Sequence, residues 1–348
     1  MFTFCQRKIK TPKNIIIART DKIGDLVLSI PAISMVKKMY PESKLYVLAR
    51  RYNAEIVKGF PFIDGVISID VYNEEQLTAK IKQINADVFI ALYSNSQILK
   101  LALKSGAKYR IGPLSKPFSW FVYNKGIRQH RSESVKNEAE YNLDLVRHMD
   151  KELFASQKIT IDKIPYGKLN HNKIVSFLDA NSIYNYIVVH PFSGGSTKNF
   201  RIDEYIKLIN KIHEQWPDKK VVISSSESDV NDAEYIVQHC SNTYVYTAKS
   251  ILELAALIDK CRLYIGASTG PSHIAGNLGK KCVCIYPAYK FLSHTRWGLY
   301  GNDTNTTYIV PDINNVEQDY KSKVFSNITD DIIDKAAEKA LEKLYGQA

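Results

Sequence analysis

Residues 261–287, CRLYIGASTGPSHIAGNLGKKCVCIYP, decide the fold class. Leu263-Tyr-Ile265 reads as a short apolar strand, and Gly266-Ala-Ser268-Thr269-Gly270 as a tight turn of small residues. Pro271 fits the first turn of a helix, where its missing N–H costs no hydrogen bond. Ile274 and Leu278 share one face of that helix, and Gly279 is placed to end it. Lys281 to Ile285 is the next strand. Such a strand–turn–helix–strand unit leaves a helix amino end open, with unpaired N–H groups and the positive end of the helix dipole, which favours a phosphate. The same pattern also fits a plain βαβ unit whose glycine turn holds nothing.

The chain on the amino-terminal side repeats the alternation. Strands are expected at 14–18, 44–49, 65–69, 87–92 and 108–111, with helices at 76–84, 97–104 and 137–149. The apolar segment 26–39 has helical spacing, and Pro31 should kink it or mark its first ordered turn. From Gly112 to Arg131 the pattern breaks into a long loop, a length that usually marks function or mobility. Between Lys100 and Lys136 there are nine Lys and Arg residues against one acid, Glu133, which suggests a basic surface on this half. The polar segment 150–166 joins the halves. The second half resumes with a strand at 186–189, a helix carrying Ile202, Ile206 and Ile209, a strand at 221–223 and a helix at 229–239. Ser250 and Glu253 form a capping-box signature for a helix over 251–258. An aromatic-rich loop follows Pro287, and an amphipathic helix spans 330–345. The fold class is therefore α/β: parallel sheets covered on both faces, in two similar halves, 1–163 and 164–348, with a ligand cleft between them. The last helix is a candidate to pack back on the first domain.

Composition narrows the function classes. The 348 residues exceed one ordinary domain, and 45% hydrophobic with 24% charged residues describes a globular protein with real cores. A formal charge of +11 points to an anionic partner: nucleic acid, a phospholipid surface or a polyanionic substrate. The five cysteines form no C-x-x-C pair and read as buried thiols in a reducing compartment. No metal-ligand cluster is visible, the N-terminus lacks the apolar core of a signal peptide, and no run reaches the 18 apolar residues of a membrane span. The expected location is cytoplasmic, with peripheral contact to a membrane surface in keeping with the charge. No RNA-recognition signature, zinc-finger spacing or lone basic helix supports a nucleic-acid partner.

Three turns follow expected strands and carry candidate chemistry: Arg19 to Asp25, His190 to Lys198, and Gly266 to His273. All three belong at the carboxyl ends of parallel strands. The last two combine a cation, Lys198, with a helix amino end, which suits a diphosphate. The first offers a carboxylate. A carboxylate facing a diphosphate suggests group transfer, with the carboxylate as general base and the cation assisting the leaving phosphate.

The runs RTDKIGDLVLSIP at 19–31, HPFSGGSTK at 190–198 and GASTGPSHIAGNLG at 266–279 resemble, in order and spacing, the signatures of glycosyltransferase family 9, the ADP-heptose:lipopolysaccharide heptosyltransferase type. The resemblance extends over about 14–301. It implies a GT-B architecture with the acceptor on the first domain and the nucleotide-sugar on the second, and inverting transfer onto a lipopolysaccharide core without a cofactor. By position, it implies Asp25 as the base and Lys198 as the lysine on the donor phosphates. Ser193, Gly194, Ser268, Thr269, Gly270 and His273 line the implied donor site, with Glu227 near a nucleotide-contacting acid. Arg19, Lys22, Lys116 and Arg128 are the candidate contacts to an anionic acceptor. Ser268 stands where the family most often has Asp, Phe200 where it often has Trp, and Ser224-Ser225-Ser226 where it has a glycine-rich turn. Three other readings use the same residues: the same fold and transfer with a different NDP-sugar donor, an NDP-sugar epimerase on a similar scaffold, which would need no acceptor site, and a non-catalytic basic binding module.

Overall fold

The computed structural model describes residues 9–195, 197–311, 323–325 and 328–345. It divides into two compact units, Met1–Asp162 and Lys163–Ala348.

In the first unit, β1 (Asn14–Ala18) runs into two short helices, α1 (Ile23–Val27) and α2 (Ile30–Met39). Pro31 lies in the first turn of α2, so the apolar segment is two helices broken at Leu28–Ser29. Then come β2 (Lys44–Ala49), α3 (Glu55–Lys58), β3 (Gly65–Ser68), α4 (Glu74–Gln83), β4 (Val88–Ala91), α5 (Ser96–Lys104) and β5 (Tyr109–Ile111). The five strands are parallel in the order β3-β2-β1-β4-β5. Ile16, Ala18, Phe89 and Ala91 face α4 and α5 in one apolar cluster, while Ile15, Ile17, Val47 and Ile90 point to the other face and are equally buried. Burial on both faces explains why these strands are continuous apolar runs.

The expected loop after β5 is folded. α6 (Ser119–Val122) sends Val122 and Tyr123 into the core, and Pro113 pairs with Ile127 as a parallel bridge. α7 (Glu138–Arg147) starts at a capping box: Asn137 Oδ1 accepts from Ala139 N, and Glu140 accepts from Asn137 N. The supposed linker contains another helix, α8 (Lys151–Ala155), capped by Asp150.

The second unit opens with α9 (Gly167–Ala180), followed by β6 (Tyr186–His190), α10 (Ile202–Gln215), β7 (Lys220–Ser225), α11 (Val230–His239), β8 (Thr243–Thr247), α12 (Ile251–Lys260), β9 (Leu263–Ala267), α13 (Gly270–Asn277), β10 (Cys282–Ile285), α14 (His294–Trp297), β11 (Thr306–Ile309) and α15 (Asp330–Tyr345). The six strands are parallel, in the order β11-β10-β9-β6-β7-β8. One face carries Ile187, Val189, Ile265 and Val283 against α10, α11 and α15. Ile333, Ala336, Ala340 and Leu344 of α15 belong to that cluster, so the apolar face of the last helix is part of the second unit's own core. Each fully buried Ile, Leu or Val side chain stabilises this core by roughly 1.5–3 kcal/mol. The described cysteines, Cys240, Cys261, Cys282 and Cys284, are buried free thiols.

Both sheets are wound from a central strand outward in two directions. β1 leads to β2 and β3 on one side, with β4 on the other; β6 leads to β7 and β8 on one side, with β9 on the other. Each unit therefore has a topological switch point, at β1/β4 and at β6/β9. In open α/β sheets, ligands bind in the crevice beyond such a point.

Candidate functional site

Arg19 follows β1 directly, and its backbone N–H extends the ladder to Leu48 O at 3.0 Å. Its guanidinium, 1% exposed, is shared by three carboxylates. Nε donates to Asp21 Oδ1 at 2.7 Å, Nη2 to Asp25 Oδ1, and Nη1 to Glu138 Oε1 at 2.9 Å. Nη1 also reaches Asn142 Oδ1 at 3.1 Å and, across the switch point, Leu92 O beyond β4 at 3.4 Å. Glu138 and Asn142 are one turn apart on α7 and so share a face. Glu138 accepts a second arginine, Arg131 Nη1, at 2.6 Å. Asn142 Nδ2 donates to Leu28 O and Ser29 Oγ, and Ser29 Oγ donates to Asp25 O at 2.8 Å.

Arg19, a candidate contact to the acceptor, is engaged here by three carboxylates, two of them buried and Asp21 half-buried. With three acids around it, Arg19 holds its proton more tightly than usual. Asp21 is pushed up to about 7, chiefly by burial and further by the Asp25 charge, against the opposing pull of Arg19. Asp25 is 8% exposed, within α1. Lys22, at the start of α1, is exposed, as are Lys116 and Arg128.

The basic surface is smaller than the sequence suggests. Arg110 donates to the carbonyls of Val122 and Ala107, Lys136 pairs with Asp144, and Lys104 with Glu74. Arg128 borders a cavity of about 230 Å³ that is also lined by Lys136, Asp144, Arg147, His148 and Lys151.

In the second unit, the turns after β6 and β9 are neighbours because His190 pairs with Gly266 in register. A Cβ on Gly266 would fall 2.6 Å from the Tyr264 hydroxyl oxygen and 3.0 Å from His190 O, so only glycine permits this approach. Burial pushes His190 down to about 4, which leaves it neutral, and Nδ1 lies 3.1 Å from Ser224 O, to which it donates. Ser224 and Ser225 are buried at the end of β7 rather than in an open turn.

After His190 the chain turns through Gly194 and Gly195, both with positive φ, and Gly195 N donates to Ser193 Oγ at 3.3 Å. Lys198 is 3% exposed, its ammonium 5.8 Å from the centre of the Tyr289 ring. Asn199 fixes this loop: Nδ2 donates to Pro191 O at 2.6 Å, and Oδ1 accepts from the Tyr205 hydroxyl at 2.7 Å. Phe200 is a core residue against Tyr205 and Phe325.

At α13, Ser272 Oγ accepts the Thr269 N–H and donates to Thr269 O, and His273, the next residue, is buried. Ser268 N pairs with Ile285 O at 3.0 Å. Gly270, the first helical residue, is partly exposed. Glu227 lies in the turn after β7, its carboxylate exposed and held below the usual range by Lys249 at 2.8 Å. The residues that sequence reasoning missed are Asp21, Glu138, Asn142, His190, Asn199, Tyr289 and Lys323, whose side chain borders Gly195. Among the described residues no His, Cys, Asp and Glu side chains are grouped to hold a metal ion, and no helix is long and apolar enough to cross a membrane.

Two Rossmann-like domains with polar groups gathered at each switch point define a GT-B-type α/β protein. Residues 76–325 match the profile of Glycosyltransferase family 9 (heptosyltransferase). A Haemophilus influenzae protein provisionally described as a glycosyltransferase is 31% identical, over 82% of this chain and 85% of its own length. Lipopolysaccharide heptosyltransferase 3 of Escherichia coli is 21% identical, over 80% of this chain and 84% of its own. The crystal structure of a family 9 glycosyltransferase from Veillonella parvula shares the fold with a TM-score of 0.78 at 19% identity, covering 95% of this chain and 97% of that one. The chain belongs to glycosyltransferase family 9, and is a glycosyltransferase.

Proposed function

We propose that this chain transfers heptose from ADP-heptose to the inner core of lipopolysaccharide with inversion at the anomeric carbon. Asp25 acts as general base. It takes the proton from the acceptor hydroxyl as that oxygen bonds to the anomeric carbon, and the bond from that carbon to the diphosphate breaks, its electron pair leaving with ADP. Lys198 and the amino end of α13 stabilise the charge that develops on the diphosphate. The first domain, residues 1–163, takes the acceptor through Lys22, Lys116 and Arg128. The second, residues 164–348, takes the donor through Ser193, Gly194, Lys198, Glu227, Ser268, Thr269, Gly270 and His273, with no metal or cofactor in the chemistry. The acceptor is a lipid-borne polyanion, which goes with a cytoplasmic enzyme resting on the inner membrane surface.

The observation that carries this reading is the position of the chemistry: the Asp25 carboxylate in the helix after β1, at the β1/β4 switch point, and the buried Lys198 in the loop after β6, the strand that pairs with β9 ahead of α13. The names of the lipopolysaccharide heptosyltransferases among the relatives support the acceptor class.

The test is a thermal-shift panel of ADP, UDP, GDP and CMP with their sugar conjugates. ADP-heptose is expected to raise the Tm of wild type, and Lys198→Ala to weaken that response. A preference for UDP or GDP ligands keeps the glycosyltransferase and discards heptose. No response to any nucleotide removes the donor site.

A further inference from the structure

Asp25 is held from two directions, and both lead to α7. One route is ionic, from Glu138 through Arg19 to the Asp25 carboxylate. The other is polar, from Asn142 through Ser29 to the Asp25 carbonyl. A lone arginine against a buried carboxylate would keep it ionised but would also weaken it as a base, because the opposite charge favours the charged form. Here the cation is divided. Glu138, 1% exposed, takes Nη1, and Asp21 takes Nε.

We propose that Glu138 is a positioning residue for Asp25: by sharing the Arg19 guanidinium it keeps that cation in place against the Asp25 carboxylate while leaving the carboxylate basic enough to accept a proton. The assignment rests on Asp25 being the base. The charged and titratable groups around the cluster are Asp21 and Lys22 on the same turn, Arg131 on Glu138, Arg50 and Tyr52 bonded to the carbonyls of Thr20 and Asp21, Asp70 near Tyr52, and Tyr93 with its ring centre 5.9 Å from the Arg19 guanidinium. None of these donates to Asp25 in place of Arg19, so removing the Glu138 charge returns a larger share of the guanidinium field to Asp25.

The test is Glu138→Gln, which keeps the one oxygen that both arginines share and removes the charge. Transfer is measured from ADP-heptose to core oligosaccharide isolated from cells deleted for this gene. The expected result is a kcat lower by about tenfold, part of the 10²–10⁴ that a positioned base contributes, with the KM for ADP-heptose unchanged. The acid limb of the pH–rate profile should move to lower pH, and Glu138→Asp should return it. A fall in rate with an unmoved limb, or no fall at all while Asp25→Asn is inactive, overturns the positioning role alone. An Asp25→Asn enzyme as active as wild type overturns the base assignment and the proposal with it. A second measurement needs no turnover: in protein labelled with carboxyl-¹³C aspartate, the Asp25 signal, assigned by its loss in Asp25→Asn, should titrate at lower pH in Glu138→Gln. An unmoved midpoint overturns the proposal.

Discussion

Asp21, Asp25 and Glu138 compete for one guanidinium, and the loser shows in Asp21. Its carboxyl, pushed up to about 7 by burial and the Asp25 charge, holds a proton in the folded protein that it loses near pH 3.8 when unfolded. Between those values the folded state binds more protons, so stability falls as pH rises from about 4 to 7. Asp21→Asn keeps an acceptor for Arg19 Nε and cannot ionise. Above pH 7 it should therefore be more stable than wild type, by an amount on the order of a few kcal/mol, and the gain should vanish below about pH 4. Urea denaturation at pH 4.5 and pH 8 measures the difference; equal gains at both would disprove the coupling. The same cluster shows where a local reading of sequence stops. Asp25 and Lys198 stood out from their motifs, and both lie beside a switch point. Two of the carboxylates on Arg19, Asp21 and Asp25, are in its own motif, but the third, Glu138, lies on another element and is out of reach of a local reading.

At the scale of elements, what could be read was what is buried on both faces. β1, β4, β6 and β9 are unbroken apolar runs because helices cover each side. β8 at the sheet edge has a half-exposed sequence, TYVYT, and α9 buries only Ile174 and Leu178, so neither presents a strong period. α6 and α8 are shorter than the window in which a helical repeat can be recognised. Asn199 illustrates an element fixed by one polar side chain. It satisfies the Pro191 carbonyl and the Tyr205 hydroxyl, both buried, and its backbone N–H and C=O pair with Lys323 O and Phe325 N. Asn199→Ala strands three polar groups, the Phe200 N–H that donates to Asn199 Oδ1 included, and should cost about 1–3 kcal/mol each. The loop that carries Lys198 should loosen with it, so the ADP-induced rise in Tm should shrink along with the basal Tm. A lowered basal Tm with an undiminished ADP response would mean that Lys198 is held by other contacts.

For the whole molecule, the excess of 47 Lys and Arg over 36 Asp and Glu invites the idea of a uniformly basic protein. The structure distributes that excess unevenly. Arg19 and Arg131 are consumed by Glu138, Arg110 by carbonyls, Lys136 and Lys249 by half-buried and exposed acids, and Lys173 by the buried Glu253. Lys22, Lys116 and Arg128 are exposed on the first unit, as are Lys13, Arg51, Lys80, Lys82, Lys100 and Lys108. Exposed charges act over about 10 Å at 0.1 M salt and less above it, whereas buried pairs are screened far less. Attraction of an anionic acceptor should therefore rest on exposed cations, and Lys22, Lys116 and Arg128 are the ones to test first. Raising NaCl from 50 to 300 mM should increase the KM for core oligosaccharide by roughly three- to tenfold with kcat nearly constant, because screening acts on encounter and not on the enclosed Asp25 cluster. The triple variant Lys22→Ala, Lys116→Ala, Arg128→Ala should start at the high-salt KM and lose most of this dependence. If the triple variant keeps the full salt dependence, the acceptor is drawn by other cations, and the cavity flanked by Arg147, His148 and Lys151 becomes the next surface to substitute.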